Sequence, residues 1–149
     1  MTGASNHCQR PDLASRFAMQ TNTQEILIVE CDLPTLELYL RELSRDYQIL
    51  ACSETQQALA LLQAHSVAAV VLEPSTPDGQ GWSLLAAIKS MPGPSPIPVV
   101  LCSTLDERKR GMEMGAAAYL VKPVLPTTLL QTLHQVMRGI DSPGVSIFD

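Results

Sequence analysis

Residues 67–81 read Val67-Ala68-Ala69-Val70-Val71-Leu72-Glu73-Pro74-Ser75-Thr76-Pro77-Asp78-Gly79-Gln80-Gly81. Six consecutive apolar residues, most of them small or β-branched, have the length and character of a strand buried on both faces of a sheet. The run delivers one acid, Glu73, to the strand's carboxyl end. The Pro, Gly, Ser and Asp of the following loop mark a turn before the next element.

The same grammar recurs on either side. Ile26-Leu27-Ile28-Val29 is a second apolar run, and beyond it Leu36, Tyr39, Leu40 and Leu43 recur at helical spacing, with Pro34 in a first turn that tolerates it. Gln48 to Cys52 reads as a strand, and Ser53 with Gln56 as an S-x-x-Q capping box opening a helix whose apolar face is Ala58, Leu61 and Leu62. After residue 81 a helix is predicted over Trp82–Ser90, closed by the stiff connector Met91-Pro92-Gly93-Pro94-Ser95-Pro96. A strand over 99–102, a short helix over 106–114 ended by Gly115, and a strand over 118–121 come next. Pro126 opens a last helix with Leu129, Leu130, Leu133, Val136 and Met137 inward. Five βα units without an internal repeat predict one α/β domain over 25–139, a parallel sheet covered by helices on both faces. Residues 1–24 and 140–149 read as peripheral tails.

Composition narrows the function. The chain of 149 residues is 46% hydrophobic and carries a formal charge of −5, which offers no basic footprint for nucleic acid or anionic lipid. Protein partners are expected instead. No stretch approaches the roughly 20 apolar residues of a membrane span, and residues 1–24 lack an apolar leader core. Cys8, Cys31, Cys52 and Cys102 are widely spaced with no C-x-x-C pair, so free thiols and a cytoplasmic location are expected. His7, His65 and His134 show no metal-site spacing and read as ordinary exposed histidines.

In a sheet of this kind chemistry gathers beyond the carboxyl ends of the strands. Those ends carry Glu30-Cys31-Asp32, Glu73, Ser103-Thr104 and Lys122-Pro123. With Ile26-Leu27-Ile28-Val29 leading into the first group, Pro77 and Gly81 four and eight places after Glu73, and Gly115-Ala116 leading to Tyr119-Leu120-Val121-Lys122-Pro123, the chain resembles the response-regulator receiver domain of two-component signalling. The likeness runs from about Gln24 to Gly139. It implies a flavodoxin-like (βα)5 doubly wound fold in three α/β/α layers with strand order 2-1-3-4-5, an order given for the fold in general.

The resemblance also implies roles. In the family two acids after the first strand hold magnesium, an aspartate after the third strand takes phosphate, a hydroxyl after the fourth contacts it, and a lysine after the fifth pairs with it. Glu30 and Cys31 match the acids, Glu73 the acceptor, Ser103 the hydroxyl and Lys122 the lysine. Tyr119 matches an aromatic that changes rotamer on activation, although a Tyr on an edge strand also packs simply against its helix. Lys122-Pro123 matches a junction that carries a cis peptide.

Two of these positions are wrong for the chemistry. A thiol is a soft ligand and magnesium wants hard oxygens, so Cys31 removes a ligand and a charge together. Asp32, next in an extended segment, is expected to point to the other side. Glu73 carries a carboxylate displaced by about 1.5 Å from an aspartate's, where near-attack geometry tolerates little error. The expectation is a degenerate pseudo-receiver, not an enzyme, with no cofactor and no catalytic residue. Magnesium is not expected, and Glu30 and Glu73 would be its ligands if any were. Glu73 is expected beside Lys122 and Ser103, either as a standing negative charge with a signalling role or simply neutralising the lysine. Redox sensing by Cys31 is disfavoured by its acidic neighbours.

The rival is an active response regulator phosphorylated by a histidine kinase with Mg2+. A nucleotide-binding relative is disfavoured, because no Gly-rich or hydroxyl-rich loop follows the first strand. The Ser103–Lys122 spacing is about three residues shorter than the family's, close to one helical turn, which shortens the fourth helix. In the family that helix, the fifth strand and the fifth helix form the face for dimers and docking. The implied partner is a histidine kinase or effector, or a second copy in a homodimer, with no nucleic acid and no membrane. No DNA-binding segment is recognisable, so a stand-alone regulator or one domain of a longer protein is expected.

Overall fold

The structure, a computed structural model, describes residues 24–139. The predicted tails, with Cys8 and His7, lie outside the described residues apart from Gln24. Strands β1 (Glu25–Val29), β2 (Gln48–Cys52), β3 (Val67–Leu72), β4 (Val99–Ser103) and β5 (Ala118–Val121) alternate with helices α1 (Leu33–Leu43), α2 (Thr55–Ala64), α3 (Gly81–Lys89), α4 (Arg108–Glu113) and α5 (Pro126–Met137). All strand pairs are parallel, and the order across the sheet is β2-β1-β3-β4-β5. This is the flavodoxin-like (βα)5 arrangement.

Alternation along each strand divides the core. Ile26, Ile28, Ala69, Val71, Val100 and Cys102 face α1 and α5, where they meet Tyr39, Leu43, Leu129 and Leu133. Leu27, Val29, Val70, Leu72, Leu101 and Tyr119 face the other way, toward Ala58, Leu62, Leu84, Leu85 and Ile88. A fully buried Leu or Ile contributes roughly 1.5–3 kcal/mol, so these two clusters, not the polar strand ends, hold the fold together. Leu130 and Met137 pack only partly buried against the first cluster and Leu61 against the second.

The capping box at Ser53 and Gln56 does not form. Glu54 is the N-cap residue of α2 and makes no side-chain cap bond, while the Ser53 N–H donates to Gln57 Oε1 at 3.3 Å. The Asp78 carboxylate reaches across from the β3–α3 loop and accepts from both the Thr55 N–H at 3.2 Å and its hydroxyl at 2.6 Å. The Ser53 N–H that Gln56 would bond in a capping box goes to Gln57 instead, and an orphan N–H at the start of α2 is satisfied by a charged acceptor from outside the segment. α4 also starts later than the predicted residue 106. The Tyr119 hydroxyl donates to Leu105 O and accepts from the Glu107 N–H at 3.0 Å, which keeps residues 105–107 out of the helix. Gly115, at φ +98°, terminates it. Gly111 is required within α4, since a Cβ there would lie 2.7 Å from Leu101 Cδ1 and 2.8 Å from the Tyr119 ring.

Candidate functional site: an ion cluster at the strand ends

The sheet's own hydrogen bonds continue one residue past three strands. Glu30 N–H donates to Cys52 O at 2.9 Å, Glu73 N–H to Val29 O at 3.0 Å and Lys122 N–H to Ser103 O at 2.8 Å. Each side chain therefore leaves a backbone fixed to its neighbour strand. They converge on one point: Lys122 Nζ donates to Glu30 Oε1 and to Glu73 Oε1, both at 2.8 Å. The side chains of Glu30, Glu73 and Lys122 are only 2%, 8% and 12% exposed, which makes this a largely desolvated cluster. Burial pushes the Lys122 ammonium down. The hydrogen bonds and charges of Glu30 and Glu73 outweigh that and hold it above the ordinary lysine value.

The second carboxylate oxygens are also occupied. Glu30 Oε2 accepts from the Asp32 N–H at 3.1 Å and Glu73 Oε2 from the Ser75 N–H at 3.0 Å. Ser103 is fully buried, and its hydroxyl accepts from the Leu105 N–H at 3.2 Å instead of meeting Glu73. Asp32 turns away to cap α1, taking the Thr35 hydroxyl at 2.5 Å and N–H at 3.2 Å. That hydroxyl bond, with the N–H, holds its carboxyl below the usual aspartate range. Cys31 is exposed. The donor set does not fit a magnesium ion: Asp32 is committed to its helix through Oδ2, and Cys31 presents a soft thiol where a hard oxygen ligand is needed.

Tyr119 is buried inward beneath Gly111, and the Lys122-Pro123 peptide is cis. An open groove of about 320 Å3 is lined by Thr35, Leu38, Tyr39, Thr104, Lys122, Pro123 and Val124. A larger one of about 900 Å3 sits at the opposite, amino end of the strands and touches none of these residues. His65 departs from the ordinary exposed reading, half-buried with Nδ1 at 3.2 Å from Glu25 Oε1. Two partners went unread in the sequence. Glu30 as a second acceptor for Lys122 was masked by its match to a metal ligand. Asp78 was seen only as part of a P-D-G turn.

The family model of the response regulator receiver domain matches residues 26–134. The chain belongs to the response regulator receiver domain family. This receiver domain is 32% identical over 124 residues to the transcriptional regulatory protein GltR of Pseudomonas aeruginosa, covering 80% of this chain and 51% of that protein. It is 30% identical over 115 residues to the transcriptional regulatory protein HprR of Escherichia coli, covering 76% and 52%. It thus spans about half the length of the curated relatives it matches. Among solved structures it resembles the chemotaxis response regulator CheY4 of Vibrio cholerae, with a TM-score of 0.70 at 23% identity over 77% of this chain and 99% of that one. At that identity the likeness speaks for the fold alone. The domain is a module of two-component signalling, a system in which receiver domains interact with histidine kinases. No helix among the described residues is long and apolar enough to cross a membrane.

Proposed function

We propose that this receiver domain signals by binding another protein and has lost phosphoacceptor chemistry, so that it is a pseudo-receiver and not an enzyme. The observation that carries the reading is the Lys122 ammonium, held at 2.8 Å from both Glu30 and Glu73. In phosphoryl transfer the protein's contribution is positioning and cationic stabilisation of the transferring oxygens. Here the cation is internal and already satisfied, and the carboxylate at the acceptor position is spent on it. Cys31 withholds a hard ligand, and the longer arm of Glu73 misplaces the nucleophile.

One carboxylate with two oxygens is a poor mimic of a phosphoryl group with three oxygens and about two charges. The cluster is therefore read as a fixed internal neutralisation, which keeps the strand ends in one state. Partner binding is assigned to the face of α4, β5 and α5, where α4 has only six residues, and the partner to a histidine kinase, an effector or a second copy. The reading in which the domain is an active, magnesium-dependent phosphoacceptor draws on Glu30, Ser103 and Lys122 standing at the family's positions.

The test is constructive. Restoring Cys31→Asp together with Glu73→Asp is expected to bring back labelling by acetyl phosphate and magnesium, by more than the two single changes combined, because metal and nucleophile act as a unit. A double variant that stays unlabelled would place the defect beyond these two side chains.

A further inference from the structure

We propose that Asp78 is the positioning residue of the ion cluster: it fastens the loop that carries Glu73 to the amino end of α2 and so fixes the direction from which the Glu73 carboxylate meets Lys122. The inference rests on the reading of Glu30, Lys122 and Glu73 as a standing cluster and adds the residue that aims it.

The four hydrogen bonds of Asp78 fall into two sets. One oxygen faces outward to α2 and accepts from the Thr55 N–H at 3.2 Å and the Thr55 hydroxyl at 2.6 Å. The other faces inward to its own loop and accepts from the Thr76 hydroxyl at 2.7 Å and the Gln80 N–H at 3.0 Å. Thr55 is 4% exposed and opens a helix whose N-cap residue makes no side-chain bond, so it offers a fixed anchor. The Thr55 hydroxyl first, then that of Thr76, holds the Asp78 carboxyl well below the usual range, so it is the charged form that makes the tie.

Between Asp78 and Glu73 the loop has little slack. The Gly79 N–H donates to Thr76 O at 3.0 Å and the Ser75 N–H to Glu73 Oε2 at 3.0 Å. Gly81 presses so closely on Pro74 that a Cβ would lie 1.9 Å from its carbonyl oxygen. A displacement at Asp78 is therefore passed through Thr76 and Ser75 to the Glu73 carboxylate. Charge-assisted bonds of this kind, made to a locked partner, are what holds a polar group in one orientation.

The experiment compares Asp78→Asn, Thr55→Val and Thr55→Ser with the unmodified chain by two NMR readouts, exchange of the Ser75 amide and the 13C resonance of the Glu73 carboxylate. Lys122→Met supplies the resonance of an unpaired Glu73. Asp78→Asn and Thr55→Val are expected to speed Ser75 exchange about tenfold or more and to move the Glu73 resonance toward that reference, while Thr55→Ser restores both. Thr55→Val keeps the Asp78 charge, so movement with Asp78→Asn but not with Thr55→Val would be a long-range charge effect and would overturn the proposal. Lower melting temperatures with both readouts unmoved would reduce Asp78 to a helix cap, and overturn it too. If Lys122→Met itself leaves the Glu73 resonance in place, the cluster is refuted and the positioning role falls with it.

Discussion

Removing the shared cation is the sharpest perturbation of this site. In Lys122→Met the two carboxylates of Glu30 and Glu73, each 2.8 Å from the ammonium and at most 8% exposed, face one another with no counter-charge. Breaking a buried ion pair from one side costs about 3–5 kcal/mol, because the remaining charge stays desolvated. For a body of this size about 1 kcal/mol moves Tm by roughly 4 °C, so we expect a fall of about 12–20 °C at neutral pH.

The pH dependence follows from the sign of the lysine's shift. Its pKa lies above the ordinary 10.5 in the folded chain, so its contribution is complete below 10.5 and is lost as pH rises through the folded value. The gap between variant and unmodified protein should be flat around neutrality and close above 10.5. Adding Glu73→Gln to Lys122→Met should recover part of the loss. Urea titrations between neutral and alkaline pH provide the readout. A loss below about 1 kcal/mol at neutral pH, the range of surface pairs, would show that the cluster is solvated and refute the reasoning.

Four further outcomes are expected. Among the described thiols, Cys31 should be alkylated fastest in the native protein. Cys52, pushed by burial to about 11, should be slower, and Cys102, buried and pushed up to about 12, should react only on unfolding; mass spectrometry of the modified peptides reads the order. Gly81→Ala should cost at least about 1–3 kcal/mol in chemical denaturation, because its Cβ meets a backbone oxygen at 1.9 Å. Gly79→Ala, with open space but φ +73°, should cost about 1–2 kcal/mol. Millimolar magnesium should leave Trp82 fluorescence and Tm unchanged, while Cys31→Asp gains a response.

The fold was legible because its signals are local. β2, β3 and β5 carry the predicted bounds, β1 and β4 differ by one residue at one end, and α3 is displaced by one residue. Runs such as Val67–Leu72 need no long-range knowledge to be read as buried strands. What went unread was set by side chains reaching across the fold. Asp78 took the cap of α2 from 23 residues away, and Tyr119 held residues 105–107 out of α4 from 12 and 14 residues away. Glu73 was expected beside Lys122, 49 residues away, but the contact of Lys122 with Glu30 over 92 residues had no local trace. Asp32 gave a readable cue, an acid three residues before Thr35 at a helix start, yet the strand-end pattern drew it into the pocket's inventory.

The central claim is that the acceptor position no longer takes phosphate, and intact mass after incubation with acetyl phosphate and magnesium tests it directly. The account predicts no phosphoryl adduct on the unmodified chain. A stoichiometric, base-labile adduct that maps to Glu73 would contradict it.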